Sequence, residues 1–163
     1  MADAIETLAA KVGTRLQSSG ALLATAESCT GGWVSQAVTA IAGSSGWFER
    51  GFVAYSNEAK QDLLGVRAQT VARHGAVSEE TAREMARGVR RALGSDVGVS
   101  VTGIAGPGGG MPGKPVGLTW VALSARDVER AEHYVWDGDR IINKEKSAEA
   151  ALVMLKEYLE SLR

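Results

Sequence analysis

Cysteine and histidine are both scarce in this sequence. Its 163 residues include one cysteine, Cys29, and two histidines, His74 and His133. A single cysteine excludes an internal disulfide, and two histidines far apart in the chain form no cluster at the spacing of zinc ligands. We therefore expect a protein of a reducing compartment, the cytoplasm, that holds no metal ion.

The chain also lacks an excess of charge of either sign. Lysine and arginine number 18 against 19 aspartate and glutamate residues, for a formal net charge of −1. Such a balance provides no bulk attraction to nucleic acid or to anionic lipid. We expect neither nucleic acid nor membrane as a partner, and any anionic ligand must be held by local groups.

Long apolar runs are missing as well. The longest uncharged stretch, Ser28 to Phe48, is as long as a membrane span but is rich in glycine, serine and threonine, which indicates a buried helix and turns. The first 16 residues carry charges at helical spacing and have no apolar core of the kind found in a signal peptide. Both features agree with a cytoplasmic protein.

The apolar pattern predicts helices and strands in alternation. A buried strand is expected at 21–27, another strand at 51–55 and a central strand at 96–103. Two neighbouring strands are expected at 116–123 and 129–136. Amphipathic helices are expected before, between and after them, with Ser56 or Asn57 and Ser78 as N-caps. We predict an α/β fold with a mixed sheet covered by helices on both faces, as a single domain over residues 1–163.

Glycine, by contrast, is abundant and clustered. Many of the 20 glycines fall in three stretches that also carry hydroxyl groups, Glu27–Gly32, Ala42–Gly46 and Thr102–Gly113. The first and third follow predicted strands, where α/β proteins bind ligands. Neither phosphate-binding fingerprint, Gly-x4-Gly-Lys-Ser/Thr or Gly-x-Gly-x-x-Gly, occurs between a strand and a helix, which disfavours ATP and dinucleotides. The alternative is that these are tight turns required by backbone geometry alone.

A hydrolase would need a nucleophile and a base. The candidate nucleophiles are the serines, Thr102 and Cys29, and a hydroxyl needs a base to remove its proton. Both histidines lie where surface or packing roles are expected. Lys60 stands one turn into a short helix after an apolar strand, where burial could lower its pKa, so the residues alone leave a Ser/Lys hydrolase and a solvated helix lysine both open.

The chain carries four motifs in order, TAESCTGG (25–32), GSSGWFERGFVAYSNEAKQDLLGV (43–66), TGIAGPGGGMPGKPVG (102–117) and GDR (138–140). Together they resemble the family of the C-terminal domain of the competence-damage-inducible protein CinA, which includes stand-alone nicotinamide-nucleotide amidases. The resemblance implies a three-layer α/β/α sandwich and deamidation of nicotinamide mononucleotide, a small-molecule substrate, with no cofactor. We also expect a homo-oligomer, and the four tryptophans, although compatible with a subunit interface, do not locate it.

The resemblance also implies roles for individual residues. Ser45 would be the nucleophile, Lys60 its general base and Tyr55 part of the catalytic network, with Ser44 as the alternative nucleophile. The implied substrate-binding residues are Ser28, Thr30, Gly31, Gly32, Ser44, Thr102, Gly103, Gly106 and Arg140.

The segment after GDR departs from the family pattern. Members usually continue with an acidic residue, an apolar residue and an arginine, whereas this chain has Asn143 where an apolar residue is common and Lys144 in place of the arginine. A lysine keeps the positive charge but loses bidentate geometry. Two alternatives to the amidase therefore stay open, a nucleotide-binding module without catalysis and a hydrolase of another amide.

Overall fold

The computed structural model describes residues 2–162, which form a five-stranded mixed sheet and six α-helices. The helices are α1 (Ala2–Ser19), α2 (Trp33–Thr39), α3 (Asn57–Leu64), α4 (Ala68–His74), α5 (Glu79–Leu93) and α6 (Arg140–Ser161). The strands are β1 (Leu23–Glu27), β2 (Phe48–Val53), β3 (Val97–Gly103), β4 (Leu118–Ala125) and β5 (Glu129–Val135). A short 3₁₀ turn, Ser44–Gly46, precedes β2.

The sheet order is β2-β1-β3-β4-β5. Strands β2, β1 and β3 are parallel to one another, whereas β4 and β5 run antiparallel to their neighbours. The chain leaves β1 toward β2 on one side and later returns to place β3 on the other. An α/β sheet binds ligands at such a switch point, beyond the carboxyl ends of the strands.

Helices cover both faces of the sheet, which confirms the predicted α/β class and its three layers. One face packs against α1, α2 and α6, and its core includes Leu16, Val38 and Leu152. The opposite face packs against α3 and α5, where Leu64 and Met85 lie over alanines of β1.

Local sequence accounts for several of the helix ends. The Ser56, Ser78 and Asp139 side chains accept hydrogen bonds from backbone N–H groups in the first turns of α3, α5 and α6. Ser78 as the cap of α5 confirms the prediction, as does Ser56 for α3. Among residues 2–162, no helix combines the length and the apolar character that crossing a membrane requires.

Two expectations about elements differ from the structure. Strand β2 begins at Phe48 and ends at Val53, so Tyr55 lies beyond it rather than at its end. As an edge strand with exposed Glu49 and Arg50, β2 lacks the continuous apolar run that marks a buried strand. Helix α4 was not predicted, because it has no side-chain cap and buries little apolar surface.

Candidate active site

The polar side chains of three loops meet at the carboxyl ends of β1 and β3. The turn after β1, residues 28–32, follows directly from the strand and leads into α2. The Ser28 N–H donates to the Val101 carbonyl of β3, 2.9 Å away, which fixes this turn beside the neighbouring strand. The resulting crevice is the place where this sheet topology favours a ligand.

Lys60 contacts Ser28 in this crevice. The Lys60 Nζ lies 3.0 Å from Ser28 Oγ and 2.9 Å from the main-chain carbonyl of Tyr55. Lys60 is 1% exposed and Ser28 is 8% exposed. A hydroxyl within hydrogen-bond distance of a buried amine is the arrangement that a Ser/Lys dyad requires.

Burial decides the protonation of both potential acid-base groups here. Removal from water lowers the pKa of the Lys60 amine, although the neighbouring Cys29 opposes this shift. Burial, followed by the charge of Glu27, raises the pKa of the Cys29 thiol to about 12. Lys60 is thereby suited to act as a base, whereas Cys29 stays protonated and is excluded as a thiolate nucleophile.

A buried carboxylate shapes the turn that carries Ser28. Glu27 Oε1 accepts hydrogen bonds from Thr30 Oγ1 at 2.6 Å and from the Val34 N–H at 2.9 Å. Its Oε2 accepts from both the N–H and the hydroxyl of Ser35. Thr30 therefore supports the turn through Glu27. The sequence interpretation missed the role of Glu27, although an acidic residue at the end of an otherwise apolar strand was a signal for it.

The turn also leaves backbone donors available. The N–H groups of Thr30 and Gly32 have no acceptor among the hydrogen bonds of the described residues. Gly31 and Gly32 both have positive φ angles, 62° and 107°, which glycine adopts without strain. A Cβ at Gly31 would lie 3.7 Å from the Lys144 Nζ, so this lysine extends over the turn.

Arg140 connects the rim of the crevice with the third glycine-rich loop. Its Nη1 donates to the Gly106 carbonyl at 2.8 Å, and its Nη2 lies 3.4 Å from the Tyr55 hydroxyl. Tyr55 is 60% exposed, so its phenol stands at the rim rather than in the interior. The structure therefore brings Arg140, Tyr55 and Gly106 together beside the Ser28–Lys60 pair.

Asn143, where the chain departs from the family pattern, is a buried part of the same loop junction. Its Nδ2 donates to the Ala105 carbonyl, and its Oδ1 accepts from the Gly138 N–H, each at 3.0 Å. The amide thus joins the glycine loop to the turn before α6. An apolar residue at this position could make neither bond.

Thr102 and Gly103 lie at the end of β3, close to the crevice. The Thr102 hydroxyl donates to the Ala76 carbonyl at 2.8 Å and is 1% exposed, so it is already engaged in holding the segment before α5. A Cβ at Gly103 would lie 2.6 Å from Thr119 Oγ1 and 3.1 Å from Cys29 Sγ, which leaves no room for a side chain.

The structure does not bring Ser44 or Ser45 to Lys60. Both serines lie in the 3₁₀ turn before β2, whereas Lys60 follows β2. The Leu23 N–H at the start of β1 donates to the Trp47 carbonyl, so this turn stands at the amino end of β1. A five-residue strand spans roughly 16 Å, which places Ser45 too far from Lys60 for a hydrogen bond. Strand β2 separates the two residues that the sequence interpretation had paired.

Neither histidine belongs to the site. His133 is on β5 with its ring centroid 4.7 Å from that of Trp120, and His74 ends α4 with Nδ1 3.6 Å from Glu80 Oε1. Within the part of the chain that the structure describes, no group of three or more His, Cys, Asp and Glu residues could hold a metal ion.

Comparisons with known proteins agree with this architecture. Residues 5–159 match the CinA C-terminal domain family. The nicotinamide-nucleotide amidohydrolase PncC of Escherichia coli (strain K12) is 48% identical over 156 residues, which cover 94% of each chain. A CinA-like protein of Chloroherpeton thalassium is 53% identical over 154 residues, which are 92% of this chain but 37% of that longer protein.

Solved structures show the same fold. The competence damage-inducible protein A of Klebsiella pneumoniae superposes with a TM-score of 0.94 at 38% identity, covering 98% of this chain and 99% of that one. The competence/damage inducible protein of Agrobacterium tumefaciens gives a TM-score of 0.90 at 43% identity, covering 97% and 96%. The chain belongs to the CinA C-terminal domain family.

Proposed function

We propose that this protein is a nicotinamide-nucleotide amidase that converts nicotinamide mononucleotide and water into nicotinate mononucleotide and ammonia. The observation that carries the proposal is the 3.0 Å contact between Ser28 Oγ and the buried Lys60 Nζ at the crevice. It is supported by 48% identity to a nicotinamide-nucleotide amidohydrolase over 94% of both chains. We assign the nucleophile to Ser28, in place of Ser45 or Ser44.

In the first half of the reaction, the neutral Lys60 amine removes the proton of Ser28 as Oγ attacks the carboxamide carbon. The Tyr55 carbonyl accepts one amine hydrogen, which orients the lone pair toward Ser28. The backbone N–H groups of Thr30 and Gly32 are the candidates for holding the developing oxyanion. The ammonium form of Lys60 then returns its proton to the leaving nitrogen, and ammonia departs from an acyl-enzyme ester.

In the second half, a water molecule replaces ammonia. Lys60, neutral again, removes a proton from this water as the oxygen attacks the ester carbon. The tetrahedral intermediate collapses, Ser28 regains its proton from Lys60, and the carboxylate product leaves. The two half-reactions together consume one water molecule for each ammonia released and require no cofactor.

Recognition of the nucleotide phosphate is assigned to the cations at the rim. Arg140 uses one guanidinium nitrogen for the Gly106 carbonyl, and its other N–H groups point toward the Tyr55 side of the crevice. The Lys144 amine lies over Gly31, on the same side of the turn. Because the chain has a net charge of −1, this local pair is what attracts an anionic substrate.

The proposal is tested with the purified protein and nicotinamide mononucleotide, by measuring ammonia and nicotinate mononucleotide. Turnover by the wild type is expected to fall at least about 1000-fold in Ser28→Ala. Ser45→Ala and Ser44→Ala are the matched controls and are expected to keep full activity. Turnover of other amides but not of this nucleotide would indicate a different hydrolase, and binding without any turnover would indicate a nucleotide-binding module.

A further inference from the structure

A groove of about 440 Å³ lies between the end of α3 and the side of α5. The last turn of α3 and Arg67 form one wall, and Glu84, Arg87 and Arg91 of α5 form the other. The three α5 residues recur at spacings of three and four, which places their side chains on one side of the helix. We call this cavity the arginine groove, and it shares no lining residue with the crevice of Ser28 and Lys60.

The two helices meet at the arginine groove because α5 has a glycine there. A Cβ at Gly88 would collide with the Leu64 carbonyl oxygen, so the end of α3 rests on the backbone of α5. The Leu64 side chain packs with Met85 and Val89 of α5 in the core beneath. A molecule bound in the groove would therefore contact both helices at their junction.

The guanidinium groups of the groove keep donors available. Arg87 donates from Nε and Nη2 to the Glu129 carboxylate, both at 2.8 Å, which leaves its Nη1. Arg67 donates from Nη2 to Glu84 at 3.2 Å, which leaves its Nε and Nη1. Arg91 is exposed, and no residue that the structure describes is hydrogen-bonded or ion-paired to its guanidinium, so the whole fork is available.

The charges of the groove favour an anion. Three guanidinium groups face two carboxylates, those of Glu84 and Glu129, which leaves one positive charge in excess in a chain of net charge −1. The oxygens of Glu84 are already engaged, since they accept from the Arg67 N–H at 2.9 Å and from Thr70 Oγ1 at 2.6 Å. The local potential is therefore positive where Arg91 stands.

The donor geometry and the size of the groove indicate the class of ligand. A planar guanidinium binds a phosphate group through two parallel N–H bonds, which a lysine amine cannot do. The volume lies in the range of sites for small molecules. Leu63, which is 43% exposed at the rim, offers an apolar surface for the part of the ligand that carries no charge.

We propose that the arginine groove binds a small molecule that bears phosphate groups, held by Arg91 together with Arg87 and Arg67. The bound anion ties the end of α3 to α5. Because α3 carries Lys60, the anion steadies the helix of the catalytic base. This last consequence rests on the proposed function, whereas the binding itself does not.

Binding is tested by titration calorimetry with inorganic pyrophosphate and with ADP as probes. Both are expected to bind, and adenosine, which has no phosphate, is expected to bind at least about tenfold more weakly than ADP. Arg91→Glu is expected to weaken both probes at least about tenfold, because the charge-assisted bonds to phosphate are lost. Arg50→Glu makes the same charge change on β2 and is the matched control, expected to leave both affinities unchanged.

The proposed substrate site also attracts phosphate, and Arg140→Gln separates the two places. We expect ADP binding to persist in Arg140→Gln, with slower amide hydrogen exchange over residues 60–66 of the wild type when ADP is bound. Binding that is lost in Arg140→Gln but unchanged in Arg91→Glu, with protection at residues 28–32 instead, would assign the anion to the crevice and overturn the proposal. Absence of binding by both probes, or equal affinity for adenosine and ADP, would overturn it as well.

These measurements need no turnover, so they are independent of the amidase assay. A protein that binds ADP in the groove but releases no ammonia would contradict the proposed function and still support this site. Circular dichroism checks that Arg91→Glu is folded. Arg91→Gln, which removes the charge without reversing it, keeps the test decisive if Arg91→Glu is not folded, and is expected to weaken ADP binding in the same direction.

Discussion

Lys60 is the residue on which the proposed chemistry depends. Its amine is withdrawn from water and contacts only neutral oxygen atoms, those of Ser28 and the Tyr55 carbonyl, among its hydrogen-bond partners in the described residues. Neither of these described partners is a carboxylate that would favour the charged form. Desolvation therefore dominates and keeps the pKa of this lysine below its ordinary value of 10.5.

The lowered pKa of Lys60 predicts the pH dependence of catalysis. Because the neutral amine is the base, kcat/KM is expected to rise with pH through this pKa and then to level off while the amine stays neutral. Lys60→Met is expected to lose about 100- to 10,000-fold in activity at the plateau. Steady-state kinetics over a pH series measure both effects, and a rate that is flat from acid to neutral pH would contradict the role of a base.

The same lysine makes stability depend on pH. Between the lowered pKa in the folded chain and the ordinary value of 10.5 in the unfolded chain, the unfolded state binds the additional proton. The contribution of Lys60 to the free energy of unfolding is therefore expected to increase as pH rises through this window, by up to about 1.4 kcal/mol per pH unit. Urea unfolding of the wild type and Lys60→Met across this range measures the difference, and a constant difference would argue against a buried neutral amine.

The unit formed by β1, the following turn and α2 depends on a single carboxylate. Glu27 accepts four hydrogen bonds from groups of the turn and of the first residues of α2. It occupies the amino end of the helix, where negative charge is favourable. The position of Ser28 follows from this arrangement, because Ser28 is the next residue in the chain.

Replacing Glu27 therefore tests how the turn is held. In Glu27→Gln one oxygen acceptor becomes an amide nitrogen, which leaves buried donors of Ser35 or Thr30 without an acceptor. We expect a loss of roughly 2–5 kcal/mol in the free energy of unfolding. The exposed Glu49→Gln on β2 is the matched control, expected to change it by less than about 0.5 kcal/mol. Equal effects of the two substitutions in urea unfolding would show that Glu27 does not hold the turn.

The first turn of α6 positions the third glycine loop. Arg140 and Asn143, on this turn, bind the carbonyls of Gly106 and Ala105. Asn143→Leu removes one of these contacts and leaves the Arg140 side chain itself in place. We expect KM for the nucleotide to rise by about tenfold with a smaller change in kcat, because the loop that borders the crevice loosens while the dyad stays intact. The neighbouring exposed Ile142→Ala serves as control, and an unchanged KM in Asn143→Leu would exclude this positioning role.

At the scale of the whole molecule, the sheet has a parallel and an antiparallel half. The parallel half, β2, β1 and β3, carries the crevice at the carboxyl ends of its strands. The antiparallel half, β4 and β5, extends the sheet on the other side of β3. The proposed active site therefore depends on the parallel half, where the chain crosses from β2 to β3 on the two sides of β1.

Local patterns in the sequence were sufficient for the fold class and for most of its elements. Apolar runs located β3 and the β4–β5 hairpin to within two residues, and serine caps marked α3 and α5. They failed at β2, where an edge strand needs no continuous apolar run, and at α4, which buries little. These features depend on what a segment packs against rather than on its own composition.

The sequence by itself determined the motifs, the family and Lys60 as the candidate base. Only the tertiary structure decided which serine meets that base. Ser45 is 15 residues from Lys60 in the chain, yet β2 runs between them. The strand places Ser45 at the amino ends of the parallel strands and Lys60 at their carboxyl ends. Ser28 is 32 residues away in the chain, but β1 and β2 are adjacent and parallel, so their carboxyl ends meet and place its hydroxyl 3.0 Å from the amine.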